Sequence, residues 1–113
     1  MEKLTELYEL LNEKFDNVFH VETINEGFPR IVYTEIGREY EFFDNVPYYG
    51  KWIVAIDLYT QKEFDPIFGE LEELLKAQKI PFAIEHIEHG TLQDKNKKSF
   101  QGVTWYRFIC EVM

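Results

Sequence analysis

Between Lys51 and Ile80 the chain changes from one hydrophobic period to another, and that change restricts its possible folds more than any other stretch. Trp52, Val54, Ile56 and Leu58 alternate with Ile53, Ala55, Asp57 and Tyr59, the period of a sheet strand with one buried face. Thr60-Gln61-Lys62-Glu63 breaks the alternation. Asp65 followed by Pro66 reads as a helix N-cap with proline at the first helical position. Ile67, Phe68, Leu71, Leu74 and Leu75 then recur at helical spacing, which predicts a helix from Pro66 to about Gln78. A strand feeding an amphipathic helix calls for two layers, a sheet and helices that cover it.

The remaining segments supply both layers. Leu4, Leu7, Tyr8, Leu11 and Phe15 form one stripe over residues 2–16, and Glu2, Glu6, Glu9 and Glu13 fall on or beside the wet face. Burying each large apolar side chain is worth roughly 1.5–3 kcal/mol before entropy, so the stripe needs a sheet to cover. Asp16-Asn17 ends this helix, and Val18–Val21 reads as a short strand or bridge. A turn over 25–29 precedes a strand over 30–36, with Ile31, Tyr33 and Glu35 on one face and Val32, Thr34 and Ile36 on the other; Gly37 ends or bends it.

Residues 38–50 are aromatic and acidic and contain Pro47; they read as a long loop or an irregular hairpin. Residues 81–89 read as a fourth strand entered through Pro81, 90–102 as a mobile polar loop, and 103–113 as the last strand. Tyr106, Phe108, Cys110 and Val112 make the apolar face of that strand, with Arg107 and Glu111 opposite. The expected fold is α+β. It is a single domain over 1–113 in the order α-β-β-β-α-β-β, with an antiparallel-rich mixed sheet of about four to five strands and two helices packed on one face.

The chain holds ten Phe, seven Tyr and two Trp, enough area for one core without staples. Its one cysteine, Cys110, excludes an internal disulfide framework and a multi-cysteine metal site. Among apolar neighbours it reads as a small buried hydrophobe. Acidic residues outnumber basic ones by 21 to 12, for a net charge of −9. That balance argues against affinity built on phosphate neutralisation, and so against sequence-specific nucleic-acid binding. The polar N-terminus is no signal peptide and no apolar run reaches spanning length, so no membrane association is expected and a cytoplasmic location is.

Chemistry-bearing clusters are sparse. In Glu85-His86-Ile87-Glu88-His89, the odd spacing of the histidines on a strand sends them to opposite faces. His86 with Glu88, or Glu85 with His89, makes two ligands, and a third such as His20 would have to come from elsewhere. No metal, cofactor or catalytic residue is assigned, although a ligand site near His86 and Glu88 stays open. Ser99 lacks a nucleophile elbow, and the glycines are scattered singly.

Tyr40, Phe42, Phe43, Tyr48, Tyr49 and Trp52 outnumber what one strand face needs. They form an interaction patch if exposed, or pack over the open side of the sheet. Lys95, Lys97 and Lys98 are a second candidate contact, for an acidic partner or a phosphate backbone, or else a solvated loop, and three lysines are a small footprint against a net charge of −9.

The pattern as a whole resembles the tail-terminator (tail-completion) proteins of phages and prophages, including minor structural proteins of head–tail joining. The resemblance rests on the N-terminal helix around Leu4–Leu11, the extended Gly27–Tyr33, the strand Trp52–Tyr59, the helix Ile67–Leu75 and the final strand Trp105–Val112. It spans nearly the whole chain as an order of elements without an invariant motif.

It implies a non-enzymatic virion-assembly protein that forms a ring, a hexamer when assembled. The ring would dock to the tail tube and the head-side connector, in the host cytoplasm or the virion. Its carboxylates would line a channel that repels passing DNA. The resemblance assigns no role to residues 38–50 or to Lys95–Lys98; from the residues themselves, the interface is expected at Tyr40, Phe42, Phe43, Tyr48 and Tyr49, then at Lys95, Lys97 and Lys98. The alternative is a small adaptor or regulatory domain that binds one protein through residues 38–50.

Overall fold

The alternation along 52–59 sorts the side chains of the central strand onto two faces, and everything else packs by that division. The computed structural model describes residues 2–21, 27–43, 46–61, 66–93 and 99–112, the side chains of 2, 39–43, 46–49 and 93 excepted. Helix α1 is Glu2–Lys14, followed by β1 (Val18–His20), β2 (Arg30–Phe43), β3 (Val46–Thr60), α2 (Ile67–Ala77), β4 (Phe82–Gln93) and β5 (Ser99–Val112). The fold is α+β, in the expected order. Its five strands form one sheet, β1-β2-β3-β5-β4. The β1–β2 pair is parallel and the others antiparallel.

Val54, Ile56 and Leu58 share the core with Ile31 and Tyr33 of β2 and with Phe108, Cys110 and Val112 of β5. Leu7, Leu11 and Phe15 of α1 and Ile67, Leu71, Leu74 and Leu75 of α2 close over them, so both helices lie on one face of the sheet. Among the described residues, the other face carries no helix. No helix among the described residues is long and apolar enough to cross a membrane.

Three boundaries differ from the sequence expectations, and one open alternative is decided. Helix α1 stops at Lys14, two residues early. Pro66 is the N-cap of α2, not its first helical residue, and no side chain caps it. Its carbonyl accepts the first helical bond, from Glu70 N at 3.1 Å, while the expected cap, Asp65, lies outside the described residues. Of the two readings of residues 38–50, the irregular hairpin holds and the loop does not: β2 and β3 continue as a paired ribbon to Phe43 and Val46, with bulges at 35/37 and 39/40.

Nor is 90–102 a loop throughout. Strand β4 reaches Gln93 and β5 begins at Ser99, with a bulge at 90/92. Gly90 and Gly102 and the bulge at 90/92 interrupt the alternation there, so the sequence carries no clean strand period to read.

The two ribbons leave the sheet at opposite ends. Strand β5 accompanies β3 from Thr60↔Thr104 to Trp52↔Val112, and β1 accompanies β2 only over Ile31–Tyr33. Beyond Trp52, β2 and β3 run on as a pair for roughly 20 Å at about 3.3 Å per residue. Beyond Thr104, β4 and β5 do the same in the opposite direction. The molecule accordingly measures 53 × 29 × 22 Å.

Candidate functional site

The register places the expected interface aromatics on the first ribbon. Tyr40 pairs with Tyr49, Phe42 with Pro47, and Tyr48 with Glu41; Phe43, paired with Val46, ends it. Lys95, Lys97 and Lys98 lie outside the described residues, between the end of β4 and the start of β5 in sequence. At the root of the aromatic ribbon the Arg38 guanidinium sits 4.2 Å from the Trp52 ring centre, a cation–π contact.

Sequence reasoning missed the uncovered face. Three rows of side chains cross it in register: Arg30, Tyr59, Trp105 and Glu88; then Val32, Asp57, Arg107 and His86; then Thr34, Ala55, Ile109 and Ala83. The second row is built around Asp57. Its carboxylate accepts Nε and Nη2 of Arg107 at 2.8 and 3.1 Å and the indole N–H of Trp105 at 2.9 Å. The hydrogen bond to Asp57 holds the Arg107 guanidinium above its ordinary pKa.

Burial, with the Asp57 charge behind it, pushes the Tyr59 phenol up to about 12, against the pull of Arg107 and Arg30. Tyr59 is therefore a neutral ring with a hydroxyl at neutral pH. It stacks on Trp105, with ring centres 6.0 Å apart and planes 12° apart. Arg30 is buried, with its Nε on the Gly27 carbonyl at 3.0 Å and its guanidinium 4.3 Å from the Phe28 ring. The signal that could have found this site was a charged residue at the centre of each of two facing apolar strands, Asp57 and Arg107.

A groove lies where the first row meets the bulged part of β4. It has a volume of about 230 Å³ and is walled by Tyr59, Trp105, Val103 and Leu92 with Glu88 and Gly90 beside them. A second groove, of about 530 Å³, runs between the helices over Leu10, Leu74 and Ala77.

On the helix side, at the β1 edge, Glu35 gathers Tyr8 and His20. Tyr8 donates its hydroxyl to the carboxylate, and His20 Nε2 lies 2.8 Å from it. Burial works against ionisation of Glu35, but the hydrogen bonds from Tyr8 and His20 and the attraction to His20 outweigh it and hold its pKa below the ordinary value. Burial first, and then the same carboxylate, keep the Tyr8 phenol protonated. The rings of Tyr8, His20 and Tyr33 stack around the pair, 4.2 and 4.8 Å from Tyr33. This cluster ties α1 to β1 and β2.

His86 and His89 do face opposite ways. His86 turns to the uncovered face, its ring 4.4 Å from that of Trp105 and its Nε2 3.1 Å from Glu88. His89 bonds Thr104 Oγ1 at 2.8 Å. His20 is at the other edge of the sheet, on β1. No group of three metal-ligating side chains occurs among the described residues. Cys110 is buried in the core as read, and burial pushes its thiol up to about 12.

The sheet ends on open edges. β4 is an outer strand over its whole length, and Ile84 and Ile87 on it are exposed at 36% and 64%. Comparison of the chain with protein-family models and with curated proteins gave no match to either.

Proposed function

We propose that this chain is a structural protein of a phage or prophage, of the tail-terminator or head–tail joining kind, without enzymatic activity. It acts by closing into a ring, hexameric when assembled, and docking to the tail tube and the head-side connector. It works in the host cytoplasm or as part of the virion.

The observation that carries this reading is how much of the sheet is left unfinished. Among the described residues, β4 has no neighbour on its outer side over 12 residues. The outer side of β2 is paired at only three positions among the described residues. Ribbons prolong both ends. Unpaired edges of this length invite strand or ribbon contacts with another chain. Two different surfaces, one at each end, suit a heterologous contact, which yields a ring when its rotation closes. The order of elements agrees with the resemblance, and the aromatic ribbon provides side chains of the type enriched at interfaces.

Native mass over a wide concentration range, by sedimentation or native mass spectrometry, is the test. A closed ring supports the reading. For a chain that stays monomeric, capping of purified tail tubes decides, and failure to bind or cap them overturns it. A monomer that instead captures one defined protein through residues 38–50 would be the adaptor, a role the projecting ribbon also suits. Replacing Tyr48 and Tyr49 by Ala should weaken association while the urea midpoint stays near that of the parent. Unfolding would show these rings to be core and remove them from the interface.

A further inference from the structure

The outer strand of the sheet has a sequence that complements itself. β4 has β5 on one side and, among the described residues, no strand on the other. His86 and Glu88 stand opposite Arg107 and Trp105, on the uncovered face, with side chains 42% and 63% exposed. Ile84 and Ile87 stand opposite Phe108 and Tyr106, on the face that carries the helices. The apolar cover stops short of them. Phe68 of α2 packs on the rings of Tyr106 and Phe108, and one strand further out Ile84 and Ile87 remain exposed. β4 therefore offers an open backbone edge, two apolar side chains on one face and a donor beside an acceptor on the other.

We propose that β4 pairs antiparallel with β4 of a second copy about a two-fold axis at Ile87, joining the two sheets into one. In that register Ile87 faces Ile87 of the other copy, and His86 faces Glu88 once on each side of the axis. Residues directly opposite in an antiparallel pair share a face, with Cβ atoms about 4.5–5.5 Å apart. The two isoleucines meet on the helix side, and two imidazoles alternate with two carboxylates on the uncovered side. Other registers lose this match. An axis at Glu88 sets carboxylate against carboxylate, an axis at His86 sets imidazole against imidazole, and parallel pairing in register does both. One sequence thus supplies both halves of the contact, which favours a second copy over a foreign strand. Bulges bound the regular stretch of β4 at His86 and Gly90, so the edge that can pair is short and contains the matched residues. The exposed His–Glu pairs select the register, while backbone bonds and the isoleucines supply the strength. The inference goes beyond the ring reading. A two-fold contact is complete with two copies and uses neither the β2 edge nor the β2–β3 ribbon, so ring closure is left to those surfaces.

Two charge substitutions test the contact together. His86→Glu sets carboxylate against carboxylate at both pairs. Glu88→Lys removes both acceptors and places an ammonium opposite each imidazole. A mixed dimer of the two variants has one native His–Glu pair and one carboxylate–ammonium pair. Sedimentation equilibrium is run on the parent, on each variant and on their equimolar mixture, with urea midpoints as the check on folding.

The parent should dimerise, each variant alone should do so about tenfold more weakly, and the mixture should recover the affinity of the parent. A variant that dimerises as tightly as the parent overturns the β4 contact. Two weakened variants that fail to restore each other overturn the register at Ile87. A parent that stays monomeric at every concentration reached overturns this inference, whereas the ring reading then turns on tail-tube capping. A parental ring that both variants form unchanged also overturns it and supports the ring reading. A parent that stops at the dimer and does not cap tail tubes does the reverse. The His86 ring lies 4.4 Å from that of Trp105; if His86→Glu unfolds, Ile87→Lys, at a side chain exposed on the surface, is read in its place. It sets two ammonium groups on the axis and should leave monomers, and a parent-like dimer overturns the contact.

Discussion

Asp57 and Arg107 make one ion pair, but the two partners do not share its burial. The Asp57 side chain is 8% exposed and that of Arg107 33%. Losing one partner therefore has different consequences depending on which is lost. In Asp57→Ala the guanidinium can turn to water, and the main cost is the Trp105 N–H left without its acceptor, about 1–2 kcal/mol. In Arg107→Ala a carboxylate stays desolvated with one donor in place of three, and removing one partner of a buried pair costs about 3–5 kcal/mol. The exposed third of Arg107 puts the expected value at the lower end of that range. Urea unfolding of both variants should rank Arg107→Ala as the more destabilised. Equal losses, or the reverse order, would mean that Asp57 reaches water on this face and that the three N–H contacts do not isolate it.

Helix α2 shows at the level of the element how a local motif replaces the residue type usually associated with it. Its C-terminus closes with Ile80 N on Leu75 O and Lys79 N on Lys76 O, each at 3.0 Å. That is the paired bonding of a Schellman motif, and Ile80 is buried against the helix as the motif requires. The left-handed position, at φ 57°, is filled by Lys79, where glycine is the usual choice. A side chain there costs about 1 kcal/mol, so Lys79→Gly should raise stability by about 0.5–1 kcal/mol, seen as a higher urea midpoint at unchanged slope. A loss would show that the lysine stem packs on the helix end and outweighs the strain.

Lys79 was also invisible to sequence reasoning, because the expected signal was a glycine. The elements that were legible bury one face. The stripes Leu7–Leu11–Phe15 and Leu71–Leu74–Leu75 and the alternation along 52–59 exist because a core lies under them. The Asp57 site and the extension of β4 and β5 are hard to read for the opposite reason. They depend on which strands are neighbours, and Asp57 meets Arg107 across 50 positions of sequence. The composition of 38–50 leaves a loop and an irregular hairpin open, and only the register decides for the hairpin and fixes its direction.

At the scale of the whole molecule the charge of −9 opposes any assembly of identical copies. In any such assembly each copy repels every other, whereas the contacts that join neighbouring copies act only locally. Lowering the pH toward the isoelectric point of about 4.8 removes the general repulsion. The fold should survive this window. Glu35 has a folded pKa below its unfolded value. Its stabilisation is therefore complete above the unfolded carboxylate range, about 4.3, and is lost only as the pH falls through the lower folded value.

Self-association measured at constant ionic strength should accordingly strengthen between pH 7.5 and about 5.5, by roughly tenfold or about 1.4 kcal/mol. The same series in about 1 M salt, where the Debye length shrinks to about 3 Å, should be nearly flat, since distant charges no longer sense one another. If a steep pH dependence persisted in high salt, close contacts of a histidine would be responsible in place of net charge. Association that weakened toward pH 5.5 would mean that ionised carboxylates, such as those of the acidic ribbon, are themselves part of the contact.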